Sequence, residues 1–304
     1  MWILIGVIVL IVLGVAFGAA YETLLTLATF GVASLAVQSW RVLMLDKELL
    51  VFPLASGIAC FLLLASFLGA AWASGIGQAD SGGNELLFWA GLLVYYFANF
   101  FVIVFFNSAL VACAMIRFRG GDPSVQAGLQ VARERLAQIA AWALLAATVG
   151  VVLRIIEERV GFVGKIVTAL LGAAWTLANY FVVPVLVVEK LGPIDAAKRS
   201  VAIIRQAWGE SLVSNVGVSM LTTLAVVLLV IPCGVATIVL AVGAGSVIVA
   251  IAGAALTLAL LIFIALASSA LNSIILSALY LYATESKVPQ AFDAARLQQA
   301  FVAR

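Results

Sequence analysis

Three kinds of side chain in this sequence are chemically equipped, and each kind stands in or beside an apolar run. The first is a basic cluster. From Asn179 to Leu212 the chain reads NYFVVPVLVVEKLGPIDAAKRSVAIIRQAWGESL, where ten uncharged residues are followed by eleven that carry five charges. The spacing predicts a span that leaves the bilayer at Glu189, turns at Gly192-Pro193, and continues as an in-plane helix from Asp195 to Trp208. Val201, Ile204 and Trp208 recur on one side of that helix at intervals of three and four. Lys198, Arg199 and Arg205 can then reach lipid phosphates, with Trp208 beside them at the headgroups. Each cation near an anionic leaflet contributes on the order of 1 kcal/mol. The same charges equally serve to hold a loop on the cytoplasmic side.

The second kind is the buried amide. Asn99, Asn107, Asn179 and Asn272 lie in or near apolar runs. An amide facing hydrocarbon leaves two donors and an acceptor unsatisfied, so all four are expected to face protein. Asn107, Asn179 and Asn272 form a candidate polar layer, either as interhelical hydrogen bonds or as the lining of a small wet cavity. Separate local bonds to neighbouring helices are the alternative.

The third kind, nucleophiles and metal ligands, points to no reaction. Histidine is absent, which removes the commonest general base and metal ligand. Cys60, Cys113 and Cys233 stand alone in apolar runs and read as small buried hydrophobes. Ser268, Ser269 and Ser273 have no partnered base in the pattern. Every Asp and Glu lies near a span end or in a loop, so no intramembrane carboxylate marks a proton or cation path. The run Arg117, Arg119, Gly120, Gly121, Asp122, Pro123 lacks the rest of a phosphate loop and reads as a turn. No catalytic residue, cofactor or metal site is expected.

The elements that position these groups are membrane helices. Hydrophobic residues make up 65% of the chain and charged residues 10%, against about 25% charged in soluble domains. Mean hydropathy is +1.24. The fold class expected is therefore all-α, a polytopic bundle of about seven transmembrane helices with in-plane amphipathic helices. Trp2 to Ala20 forms the first span, and residues 1–22 are set apart as an extra N-terminal helix. Nothing basic precedes it, which argues against a cleaved signal peptide. Its Gly14-x-x-x-Gly18 spacing permits close helix packing, within the chain or with a protein partner or second copy.

Residues 23–304 then form a six-span domain. An interfacial helix from Thr23 to Leu45 precedes the span Phe52 to Trp72. The aromatic-rich span Leu86 to Ile116 leads to a surface helix beginning at Ser124, which feeds Ile139 to Leu153. In the loop before Phe162 to Val188, Arg154 stands three and four residues ahead of Glu157 and Glu158, a spacing that permits ion pairs on one helix face. Val213 to Tyr282, interrupted at Pro232-Cys233-Gly234 and again at Gly243-Ala244-Gly245-Ser246, is long enough for two kinked spans or three short ones, and two are expected because they keep the basic tail on the side of the other basic loops. Thirteen of the 16 Lys and Arg residues fall in segments 38–50, 116–136, 189–211 and 284–304. That bias puts those segments in the cytoplasm, the N-terminus outside and the C-terminus inside.

Three spans end alike. Asn107, Asn179 and Asn272 are followed 16, 14 and 17 residues later by Pro123, Pro193 and Pro289, each opening a polar helix. This hydropathic likeness suggests three helical-hairpin repeats.

The run PVLVVEKLGPIDAAKRSVAIIRQAWGES resembles a pattern found in an uncharacterised bacterial family of polytopic membrane proteins. DKELLVFPLASG and ALYLYATESKVPQAFD add to the resemblance, which covers roughly residues 35–301. The family is related to the membrane domain attached to some glycerophosphodiester phosphodiesterases. The resemblance implies a six-span domain in the bacterial cytoplasmic (inner) membrane and brings no catalytic residue. The function expected is that of a non-enzymatic scaffold or accessory protein whose cytoplasmic-side helices contact lipid headgroups or a partner. A small-solute transporter with an Asn-lined seam is the alternative, and nucleic acid is not an expected partner.

Overall fold

The computed structural model describes residues 32–73, 85–159, 161–206 and 222–285. Its helices are α1 (Val32–Leu45), α2 (Val51–Ala73), α3 (Glu85–Phe118), α4 (Val125–Glu134), α5 (Leu136–Arg159), α6 (Gly161–Asn179), α7 (Val182–Val188), α8 (Pro193–Gln206), α9 (Ile231–Ala244) and α10 (Val247–Glu285). A 3-10 turn over Lys47–Leu50 leads into α2, and a π-helical turn over Val226–Val230 leads into α9.

Among the described residues, six stretches are long and apolar enough to cross a membrane: Lys47–Ala73, Trp89–Phe118, Leu136–Glu157, Lys165–Val188, Thr222–Ala244 and Val247–Glu285. Their outward faces stay apolar, with Phe61 68%, Trp72 82%, Leu170 68% and Ile248 79% exposed. Apolar surface on that scale has no stable place in water, so these faces meet lipid. The chain is an integral membrane protein. Trp2 to Ala20, with Gly14 and Gly18, lies outside the described residues, as does Trp208.

The span expected over Phe162 to Val188 is present as Lys165–Val188, with a break inside it where α6 ends at Asn179 and α7 begins at Val182. Pro184 supplies the reason: it has no N–H for the Tyr180 carbonyl four residues earlier, and its ring crowds that carbonyl. Arg154 to Arg159, expected in a loop, is helical, so α5 carries these charges to its own end. Charge alone does not stop a helix that has no Gly or Pro to break it.

From Thr222 to Glu285 the chain makes two helical stretches, and the turn between them sits at Gly245, whose φ of 57° lies in the left-handed region that favours glycine. Pro232 lies inside the helical stretch Thr222–Ala244, just after the π-helical turn Val226–Val230, and has no N–H for the Leu228 carbonyl four residues earlier.

The chain divides into two compact units. Unit 2 comprises Asp46–Ala207 and Leu276–Gln290. Its hub is α3, which packs against α2, α4, α5 and α7, while α8 packs on α5, α6 and α7. Stacked indoles of Trp142 and Trp175, 5.5 Å apart and 6° from parallel, join α5 to α6. On α3, Phe97, Phe101 and Phe105 stack one turn apart, and Phe67 of α2 meets Tyr95 at 4.7 Å. The aromatic run of α3 is packing. Unit 1 comprises Met1–Leu45, Trp208–Ile275 and Ala291–Arg304. Within it Val227 is buried against Leu224 and Ile231, and a hydrogen bond of 2.7 Å joins the hydroxyls of Thr222 and Ser268.

Candidate functional site

The site grows from two turn-and-helix segments of unit 2. At the end of α3, Gly120 has φ of 84°, the Gly121 N–H donates to the Ile116 carbonyl at 2.9 Å, and the Gly120 N–H donates to the Arg117 carbonyl at 3.0 Å. This pair of bonds satisfies carbonyls that a helix end otherwise leaves open. Gly-Gly-Asp is thus a helix cap, in keeping with the turn read from the sequence. Ser124 then caps α4, its hydroxyl accepting from the Ala127 N–H at 3.2 Å.

At the end of α7 the left-handed residue is Lys190, with φ of 60°, rather than Gly192. The Gly192 carbonyl instead accepts the Ala196 N–H at 2.8 Å, and Pro193 is the first residue of α8. A first helical position needs no N–H partner, which is why proline fits there.

The two segments are built alike. Four and eight residues after Ser124, Gly128 and Ala132 are buried; four and eight after Gly192, Ala196 and Ser200 are buried. Small residues at that period let each helix lie close on its support. The third segment of the suggested repeat lies outside the described residues.

Ion pairs tie these segments down. The Arg117 guanidinium bonds both carboxylate oxygens of Asp46, whose side chain is 8% exposed, and also reaches the exposed Asp122 at 2.7 Å. Arg119 meets Glu285 at 3.4 Å. In the second segment Nε of Arg199 donates to both oxygens of Glu189, at 2.9 and 3.0 Å, and the Tyr280 hydroxyl donates to Glu189 Oε1 at 2.8 Å. Charge-assisted bonds of this kind are the stronger sort. None of these partnerships is evident from local spacing.

Ser200 has a task that sequence reading missed. Its hydroxyl accepts the Phe181 N–H at 2.9 Å, in a buried position, and so satisfies a donor freed where α6 gives way to α7. Ser200→Ala orphans that donor and lowers stability by about 1–2 kcal/mol, read as a fall in the melting temperature of the purified protein. An unchanged melting temperature would mean that water or another acceptor takes over.

The basic residues of α8 take different places. Arg199 is engaged with Glu189. Lys198 is exposed and lies 3.7 Å from the equally exposed Asp195, a pair worth at most about 1 kcal/mol. Arg205 is exposed, and no ion pair holds it among the described residues. Ile203 and Ile204 are buried, with Ala196 and Ser200, on the side of α8 that packs on protein. The apolar side that includes Ile204 therefore faces protein, and Val201, half-buried, lies nearer the basic side. There an open groove of about 610 Å³ is lined by Ala178, Ala197, Lys198, Val201, Ala202 and Arg205.

The asparagines do not share one environment. Asn107 is half-buried on α3, Asn179 is half-buried at the end of α6 with a buried Oδ1 that has no hydrogen-bond partner among the described residues, and Asn272 is exposed on α10. Asn99 bonds locally, its amide donating to the Tyr95 carbonyl at 3.0 Å. Of the cysteines, Cys113 is buried while Cys60 and Cys233 are half-buried, and all three are free thiols.

No curated protein matches this chain. A family model does match, over residues 86–290, a range that includes both turn-and-helix segments and leaves out Asp46. The chain belongs to that family, a family of unknown function designated DUF6159.

Proposed function

We propose that this is a non-enzymatic scaffold or accessory protein of the bacterial cytoplasmic membrane, which binds anionic lipid headgroups through α8. The observation that carries the reading is the two-sidedness of α8. Its small and branched residues pack on α5, α6 and α7, while Lys198 and Arg205 stand exposed beside Ala178, at the end of an apolar helix. A cation at that depth is within reach of phosphate and near enough to the anionic surface to gain from it. The distribution of Lys and Arg supports a cytoplasmic position for α4 and α8, with the N-terminus outside and the C-terminus inside.

The test is lipid retention. Purified from native membranes, the Lys198→Gln/Arg205→Gln protein is expected to carry several-fold less anionic phospholipid than the parent, with zwitterionic lipid unchanged. Arg199 is left in place because Glu189 holds it. An unchanged anionic share would reduce the two cations to determinants of topology.

A further inference from the structure

We propose that the groove along α8 is a discrete site for one lipid whose headgroup carries two phosphodiesters, an inference that rests on the headgroup-binding reading above. Lys198, Val201, Ala202 and Arg205 stand at i, i+3, i+4 and i+7, so they form one stripe on one helix face. The cations occupy its two ends, roughly 10 Å apart along the axis, and the apolar pair occupies its middle. A single phosphate centred on the stripe would rest on Val201 and Ala202, whose side chains offer methyl groups and no donor. It therefore engages one end at a time. Two phosphates joined by a short polyol engage both ends, and the linker and upper acyl carbons lie over Val201, Ala202, Ala197 and Ala178. The groove's volume of about 610 Å³ suits a headgroup and the start of its chains rather than a whole lipid.

The surrounding charges agree with this occupant. The acid beside the stripe is Asp195, 3.7 Å from Lys198, and both side chains are exposed enough for Lys198 to exchange it for a phosphate. Glu189 is neutralised by Arg199 and held by Tyr280, so it is not left as an uncompensated negative charge. Lys is a point charge that accepts any approach, whereas Arg presents a planar fork suited to two phosphate oxygens. Basic recesses beside membrane helices are known to take lipids of this charge.

The experiment is native mass spectrometry of the full-length protein in detergent, titrated separately with diphosphatidylglycerol, phosphatidylglycerol and phosphatidylcholine. At equal phosphate concentration the two-phosphate lipid is expected to bind at least tenfold more tightly than phosphatidylglycerol. Lys198→Gln and Arg205→Gln should each bring it down to the single-phosphate level. Ala202→Trp should abolish the preference with both charges intact, and Val201→Phe serves the same purpose if the tryptophan variant fails to fold. Equal affinity per phosphate, or a preference that survives a folded groove-filling variant, overturns the discrete site while leaving general headgroup binding in place. No preference of the parent for either anionic lipid over phosphatidylcholine overturns both.

Discussion

Asp46→Ala is expected to lower the stability of the purified protein by roughly 3 kcal/mol, more than any other single charge removal among the described residues. The Asp46 carboxylate is 8% exposed and accepts from two nitrogens of Arg117, so both groups have given up most of their water to each other. The cap at Gly120 holds the Arg117 backbone in place, and with only 25% of its side chain exposed the guanidinium is poorly solvated when its partner goes. Its remaining acid, Asp122, is 92% exposed and recovers little. Most of the expected loss is therefore the penalty of an arginine left partly buried and unpaired. It follows that Asp46→Ala/Arg117→Met should regain much of the stability, because an apolar pair removes that penalty along with the bond. Thermal unfolding of the two variants and the parent decides the matter. A double variant no better than Asp46→Ala would mean that the bond itself, rather than the stranded charge, supplies the stability.

The same pair shows what could be read without coordinates. Membrane spans are legible because about 20 apolar residues in a row have few alternatives, and the six described ones fall where hydropathy put them. The turns at Gly120 and Gly245 are legible because glycine alone enters the left-handed region without strain. The break at Tyr180 was also within reach, since Pro184 sits four residues on and forbids a continuous helix. Partner choice was not. Asp46 and Arg117 are separated by 71 positions, and Glu189 and Tyr280 by 91. No local period links residues at such distances.

The faces of α8 give a subtler case. A period of three and four shows that a helix has two unlike sides, but here three surroundings compete: protein, lipid and water. Ile204 belongs to a side that packs on α5, α6 and α7, so periodicity located the stripe and not what it touches. Ser200, reading as one more small polar residue in the basic run, turns out to complete the backbone of another helix. Such a role arises from the defect at Tyr180, and only the position of α8 over that defect reveals it.

Gly128→Ala is expected to separate α4 from α3, at a cost of about 1–3 kcal/mol, and to open Cys113 to thiol reagents. A Cβ at residue 128 would stand 2.6 Å from Cys113 Sγ, 2.7 Å from the Ala109 carbonyl oxygen and 3.0 Å from Phe52 Cζ. Phe52 can swing and the thiol can turn, but the Ala109 oxygen belongs to the backbone of α3 and cannot yield. The helix must therefore move as a body, lifting away from a surface that covers Cys113. In the parent Cys113 is 1% exposed, and its weak bond to the Ser124 carbonyl, at 3.4 Å, lies on the same contact. Labelling by a membrane-permeant maleimide should accordingly be slow in the parent and several-fold faster in Gly128→Ala. The companion variant Cys113→Ala/Gly128→Ala separates the two obstructions. It removes the sulfur and leaves the carbonyl, so its melting temperature should stay depressed relative to Cys113→Ala alone. If the companion variant melts with Cys113→Ala, the thiol was the whole obstacle and α4 tolerates a side chain at this position. If it stays low, the fit between α4 and α3 depends on glycine because two backbones meet there.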